Sequence, residues 1–200
     1  MAQNLRVISI GSVMPQNGGK TQGGVATIHS TITSLFINHP EFEIKIIGSI
    51  ATNSDFDSDP INNIPYFKKL DNEKNHEMLD RLIEHYKPDI LFIHHISHSW
   101  ASSISKVSKL PICVGYVHSW NPVDPNNNKN FENKKTHLSQ GISFFDHLIF
   151  NSPHSFQRGI SMGFEYPNDT HIIPPPVSEL FINAGLPNPS DSIKKIVFIG

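Results

Sequence analysis

The feature that most restricts the fold of this chain is the repeated alternation of short apolar runs with segments of helical periodicity. Residues 89–95 are almost wholly apolar, which is typical of a buried parallel strand covered on both faces. An alternating order of strands and helices predicts an α/β fold, a doubly wound parallel sheet with helices on both faces. The predicted strands cover residues 5–10, 44–47, 89–95, 112–118, 146–151 and 171–173, and the predicted helices cover residues 25–36, 73–86, 100–107, 134–145 and 155–162.

The end of the sequence predicts a domain boundary. Residues 1–174 contain all the alternating elements and form the predicted domain. Residues 175–193 are rich in proline and polar residues, which indicates a linker. Residues 194–200 contain another buried-strand pattern that ends in glycine, so we expect them to begin a second domain that is truncated here.

The composition and net charge of the chain restrict the kinds of partner that it is expected to bind. The chain has 16 basic and 18 acidic residues, a net charge of −2. Because clustered cations supply most of the affinity for nucleic acid, we expect no nucleic-acid partner. The single cysteine, Cys113, excludes an intrachain disulfide. No apolar run approaches the roughly 18 residues of a membrane span and no signal-peptide pattern is visible, so we expect a cytoplasmic protein without an integral membrane segment.

Several candidate site residues follow predicted strands directly. In a doubly wound sheet, ligands bind at the carboxyl ends of the strands, so these residues belong to one rim. Glycines there let the backbone approach a ligand closely, and the first N–H groups of a helix favour an anion. The candidate substrate-binding residues are Gly23, Gly24, His95, His98 and Ser152, and the candidate catalytic residue is His118.

Each candidate also has a purely structural interpretation. The glycines suit a helix-entry turn, His118 suits a hydrogen-bonded core histidine, and Ser152 suits the cap of a helix with Pro153 at its first position. A metal at residues 94–98 is disfavoured, because adjacent histidines on a strand point to opposite faces and no carboxylate or cysteine lies at short ligand spacing. We therefore predict no metal.

Other chemistries lack a local motif. Gly19-Lys20-Thr21 is reminiscent of a phosphate-binding P-loop, but Met14 stands where that motif requires glycine. The paired carboxylates of a glycosidase are not visible as any local motif.

Six short stretches, in order along the chain, resemble the N-terminal domain of the family 4 (group 1) retaining glycosyltransferases, which have the GT-B fold. The stretches at residues 22–27 (QGGVAT), 87–95 (KPDILFIHH), 110–118 (LPICVGYVH), 146–152 (DHLIFNS), 172–177 (IIPPPV) and 196–200 (IVFIG) are similar to its "GGVA", "KPDVVHAH", "PVVxTxH", "ADxVIxxS", "VIPNGVD" and "FVGRL" elements.

The resemblance implies the Rossmann-like N-terminal half of an enzyme that moves a hexosyl group from a nucleotide-sugar donor to a sugar or glycan acceptor with retention. It implies that Gly23 and Gly24 face the donor phosphates and that His118 hydrogen-bonds the donor sugar. No cofactor is expected. Because the resemblance assigns most donor contacts to the missing C-terminal domain, we expect this fragment alone to be inactive. The alternatives are a GT-B-type nucleotide-sugar epimerase and a stand-alone Rossmann-like domain that binds a small molecule.

Overall fold

The computed structural model describes residues 5–11, 24–38, 44–51, 67–94, 96, 98–118 and 131–175. In this part of the chain six strands form one sheet, and five helices connect them. The elements in chain order are β1 Leu5–Gly11, α1 Gly24–Asn38, β2 Ile44–Ala51, α2 Asn75–Tyr86, β3 Ile90–Ile93, α3 His98–Ile104, β4 Ile112–Val117, α4 Phe131–Ile142, β5 His147–Phe150, α5 Pro153–Ser161 and β6 Asp169–Ile172.

The strands lie in the order β2-β1-β3-β4-β5-β6, and every neighbouring pair is parallel. A helix follows each of the first five strands, as a parallel sheet requires for its crossover connections. The path runs one way from β1 to β2 and the other way from β3 to β6, so the order reverses at β1 and β3. This arrangement confirms the predicted fold class, a doubly wound, Rossmann-like α/β domain.

The main hydrophobic core lies between the sheet and helices α2, α3 and α4. Alternate residues of the inner strands point to this side, including Ile8 and Ile10 of β1 and Leu91 and Ile93 of β3. The helices contribute residues spaced at helical intervals, such as Met78, Leu79 and Leu82 of α2, Trp100, Ala101 and Ile104 of α3, and Leu138 and Ile142 of α4. These side chains are almost fully buried, so the core holds the sheet rigidly in place.

Helix α1 packs on the opposite face of the sheet with a small, polar surface. Its buried residues are Ala26, His29 and Thr33, each 2% exposed or less. The larger apolar residues of the same helix whose burial is described, Val25, Ile28 and Ile32, are only half-buried. The apolar repeat therefore marks the flank of this helix, and its buried face includes a histidine.

Two aspartates fix the start of strands. Asp89 precedes β3, and its Oδ2 accepts a hydrogen bond from the backbone N–H of Arg6 at 2.7 Å. Asp146 precedes β5 in the same way, and its Oδ2 accepts from the N–H of Cys113 at 2.8 Å. Each carboxylate thus satisfies a backbone donor on the neighbouring strand, which holds the register at the amino end of the sheet.

Several predicted boundaries were wrong by a few residues. β2 extends to Ala51, four residues beyond the end of the strand predicted at residues 44–47. α4 begins at Phe131 and ends at Ile142, three residues before each predicted boundary. The predicted linker beyond residue 175 and the strand at 194–200 lie outside the described residues. None of the helices in the described ranges is long and apolar enough to cross a bilayer.

Candidate functional site

The sheet order creates a crevice at the carboxyl ends of β1 and β3. β1 ends at Gly11, β3 is followed by His94, and α1 begins at Gly24. Because the connections leave these two strands in opposite directions, this is the topological switch point, where ligands of doubly wound folds bind. The backbone N–H of His94 donates to the carbonyl of Ile10 at 2.8 Å, so the two strand ends are held together.

Two buried histidines and a serine meet under this crevice. His29 of α1 lies with its Nε2 3.0 Å from Ser9 Oγ of β1, which forms a buried hydrogen bond. The His29 ring also packs on the His94 ring, with centroids 4.5 Å apart, and the Phe92 ring lies 4.3 Å from the His94 ring. β1, α1 and the end of β3 therefore bring polar side chains to one place inside the domain.

Gly11 provides the space for His29. A Cβ on Gly11 would lie 2.6 Å from Cγ of the His29 ring, which is closer than any real contact allows. A histidine at position 29 thus requires glycine at the end of β1, because the backbone of β1 and the ring are in direct contact.

Burial sets the charge of His94. The side chain is fully buried, and neither ring nitrogen has a hydrogen-bond partner among the described residues. Burial, and secondarily the nearby His29 and His118, lowers the pKa of His94 well below its usual value. His94 is therefore neutral at physiological pH, with one nitrogen able to donate and the other able to accept.

His118 stands at the exit of β4 and is held through the neighbouring strand. Its backbone carbonyl accepts a hydrogen bond from Nδ2 of Asn151 at 2.9 Å, and its ring packs on Tyr116 with centroids 4.5 Å apart. The residue is 9% exposed, so only a small part of it faces solvent. It follows β4, the strand next to β3, so His118 and His94 lie at the same edge of the sheet.

Asn151 and Ser152 form a polar network at the exit of β5. Oδ1 of Asn151 accepts from Ser155 Oγ at 2.7 Å and from Ser152 Oγ at 3.2 Å. Ser152 is the N-cap of α5, since its Oγ accepts from the N–H of Ser155 at 3.2 Å, and Pro153 opens the helix. Ser152 therefore caps α5. Its hydroxyl also donates to Asn151, the residue whose amide holds the backbone of His118.

The remaining sequence candidates divide into three groups. Gly24 is the first residue of α1 and is exposed, and a Cβ there would meet open space, so packing does not require the glycine. His98 is the first residue of α3, and nothing is described of its side chain. Gly23 and His95 lie outside the described residues.

Sequence reasoning missed Ser9 and His29. His29 lies one turn from Val25 and between Ala26 and Thr33, a spacing that marks one helix face, but the face is polar and does not read as buried. Asn151 stands with Ser152 at a predicted strand exit, and the structure adds that its amide donates to the backbone carbonyl of His118. The signal in the sequence that could have identified these residues was their position, because each of them lies at or over the carboxyl edge of the sheet.

This arrangement suits a neutral, hydroxyl-rich ligand beside an anion. Hydroxyls and an amide donate and accept hydrogen bonds without imposing a charge, and the buried His94 is neutral. The N-terminus of the 15-residue α1 has no acidic residue in its first turn, and free N–H groups at such a helix start attract negative charge. Of the rim residues named here, none is a carboxylate.

No protein-family model matches the sequence, and no curated protein matches it either. Among solved structures, the fold is similar to an alpha-glucosyltransferase in complex with UDP and a 13-mer DNA containing a HMU base, with a TM-score of 0.54 and 13% identity over 90% of this chain. A second structure of an alpha-glucosyltransferase, with UDP and a 13-mer DNA containing a central A:G mismatch, aligns over 90% of this chain at 12% identity and a TM-score of 0.46.

The first likeness confirms the Rossmann-like fold class, as found in a glycosyltransferase with the GT-B fold. This chain spans 45% of the length of that glucosyltransferase. That protein is bound to DNA in its structure, so the fold does not exclude nucleic acid. The expectation that this chain has no nucleic-acid partner therefore stays a prediction from its charge balance.

Proposed function

We propose that this chain is the N-terminal domain of a GT-B glycosyltransferase that moves a sugar from a nucleotide-sugar donor to an acceptor. The observation that supports it is the contact between His29 and His94, with His118 at the same carboxyl edge, in a sheet whose fold resembles that of a glucosyltransferase. The proposal places the protein in the cytoplasm and in family 4, with retention at the anomeric carbon and a second domain completing the cleft.

The chemistry of the rim fits this reaction. A donor sugar presents several neutral hydroxyls, which neutral imidazoles and amides bind without the cost of burying a charge. The leaving group is a nucleoside diphosphate, whose developing charge is stabilised by backbone N–H groups and cations. The N-terminus of α1, with Gly24 open to solvent, is the part of this chain suited to that anion.

His118 is the proposed catalytic residue. The Asn151 amide holds its backbone and Tyr116 packs on its ring, so the imidazole is fixed before a ligand arrives. A hydrogen bond from a fixed group to the sugar strengthens as the anomeric carbon becomes cationic. Losing such a bond costs on the order of 2–4 kcal/mol of transition-state stabilisation, roughly 10²–10³ in rate.

The test compares the protein extended by its second domain with the 200-residue chain. Release of nucleoside diphosphate from a panel of nucleotide sugars reports the donor without knowledge of the acceptor. We expect the extended protein to be active, the short chain to be inactive, and His118→Ala to lower kcat with an unchanged melting temperature. His137→Ala, an exposed histidine on α4, is the matched control.

Four results would count against the proposal. Turnover by the 200-residue chain alone would contradict the division of labour between the domains. A gene that stops after Gly200 favours a stand-alone binding domain, and donor epimerisation without transfer favours an epimerase. A lowered melting temperature with unchanged kcat in His118→Ala would make the residue structural. The free energy of unfolding would then fall by about 1–3 kcal/mol, because the hydrogen-bond partner of the side chain is left unsatisfied.

The acceptor assay includes DNA. Because the similar glucosyltransferase was solved with DNA containing a HMU base, such an oligonucleotide belongs in the panel beside sugars and glycans. The net charge of −2 leads us to expect transfer to the sugars and not to the oligonucleotide. The configuration of the product at the anomeric carbon, read by NMR, decides between retention and inversion.

A further inference from the structure

A second cluster of histidines lies at the opposite edge of the sheet. His147 is the first residue of β5 and Asp169 is the first residue of β6, and the two are paired in register. His171 follows two residues later on β6, so its side chain leaves from the same face as that of Asp169. This edge is formed by the amino ends of the strands, away from the rim described above.

The three side chains are already in contact. Nδ1 of His147 lies 2.7 Å from Oδ2 of Asp169, and Nε2 of His171 lies 2.8 Å from Oδ1 of the same carboxylate. One ligand atom from each residue can be chosen so that all three lie within 4.8 Å of one another. Their side chains are 38%, 54% and 51% exposed, so an ion can reach them from solvent.

From this geometry we propose that His147, Asp169 and His171 form a binding site for a divalent transition-metal ion, Zn²⁺ above all. Two imidazole nitrogens and one carboxylate oxygen are ligands that zinc accepts, with bonds near 2.0–2.2 Å. Water completes the tetrahedron. The proposal does not depend on the function proposed for the rim.

Binding requires only a small rearrangement. The two imidazole–carboxylate hydrogen bonds open, and each ring moves its proton to the nitrogen that does not bind the ion. The lone pairs of His147 Nδ1 and His171 Nε2 then face the metal, and Asp169 supplies one oxygen.

The position gives the site a structural role. β6 is an edge strand, paired within the described sheet to β5. A metal held by His147 on β5 and by Asp169 and His171 on β6 links the two strands at their amino ends. We therefore expect bound zinc to stabilise β6 against local opening, since edge strands are held by one ladder of hydrogen bonds.

No local motif in the sequence marks all three residues of this site. Its ligands come from two strands separated by α5, and only the parallel register brings them together. The His-rich segment at residues 94–98 attracted the metal hypothesis instead, although its adjacent histidines point to opposite faces of a strand.

Calorimetric titration of Zn²⁺ into the 200-residue chain tests the proposal, with Co²⁺ as a spectroscopic probe of coordination by nitrogen and oxygen. We expect one ion per chain, and we expect the affinity to fall more than about ten-fold in His147→Ala, His171→Ala and Asp169→Asn. Loss of even an outer partner of a metal ligand weakens affinity about 10–100-fold, and these residues are direct ligands. His137→Ala, another exposed histidine, serves as control and should bind as the parent does.

Hydrogen exchange supplies a second readout. Zinc should slow exchange of the β6 amides in the parent chain and leave them unchanged in Asp169→Asn, a variant that keeps a hydrogen-bonding side chain. Two results would overturn the proposal. One is equal zinc binding in the parent and the three single variants, and the other is parent binding no stronger than that of a variant with all three substitutions. The cluster would then be a hydrogen-bonded His–Asp–His triad only.

Discussion

Replacing His94 with leucine tests the buried histidine cluster directly. The neutral His94 ring packs between His29 and Phe92 and has no hydrogen-bond partner among the described residues. Its pKa is held well below the usual 6.5 by burial, with His29 and His118 adding to the effect. The folded protein therefore resists protonation at this position, whereas the unfolded chain accepts a proton readily.

The size of the effect follows from the two protonation states. Above pH 6.5 both the folded and the unfolded chains have a neutral His94, so this group does not change the stability with pH. Below pH 6.5 the unfolded chain binds an extra proton, and the free energy of unfolding falls by about 1.4 kcal/mol per pH unit. His94→Leu removes that loss, so at pH 5.5 the variant should gain about 1.4 kcal/mol over the parent relative to their difference at pH 7.5.

At pH 7.5 the substitution should change stability by less than about 1 kcal/mol. The lost ring contacts cost about 0.5–1.5 kcal/mol, and removing a buried polar ring offsets a similar amount. Urea unfolding of parent and variant at pH 7.5, 6.5 and 5.5 measures both quantities. His29 and His118 remain in both proteins, so the difference reports His94 together with its electrostatic effect on these two rings. Parallel pH profiles in the two proteins would refute the assignment of a depressed pKa to this residue.

Three further substitutions test other parts of the structure by urea unfolding. Gly141→Ala should lower stability by about 1–3 kcal/mol, because the new Cβ would lie 2.5 Å from Cα of Ala101 and force α3 and α4 apart; an unchanged midpoint would contradict this contact. Ser152→Ala should cost about 1 kcal/mol through loss of the α5 cap, and a change below a few tenths would show that the cap is not used. Asp89→Ala should cost about 1–3 kcal/mol because the N–H of Arg6 loses its charged acceptor, whereas the isosteric Asp89→Asn should cost less.

The sequence predicted the strands best where they are apolar on both faces. β1 and β3 were placed within two residues, because a buried parallel strand has a continuous apolar pattern. The end of β2 was missed because Gly48, Ser49 and Ala51 resemble a loop, and only pairing with β1 makes them a strand. Pairing between distant segments is a property of the fold and is absent from any local window.

The same reason limited the prediction of the site. The strand exits located His118 and Ser152 on the correct edge, since every parallel strand ends on the same side. The contact between His29 and Ser9 depends on the rotation of α1 about its axis, and a helix whose buried face is Ala26, His29 and Thr33 has no apolar signal for that rotation. The sequence therefore located polar residues at one edge of the sheet, but the contacts between them depend on how α1 packs on β1.

The order of the strands has a consequence for how the domain folds during synthesis. β1 lies inside the sheet, and it leaves the ribosome before both of its partners. β2 and α1 can join it first, because they follow closely in the chain, but the other side of β1 stays open until β3 has been made. Since closing that longer loop is slow and exposes an unpaired strand edge meanwhile, the nascent chain is most prone to mispairing in this interval. The histidine cluster, which needs both α1 and the end of β3, is complete only when that interval closes.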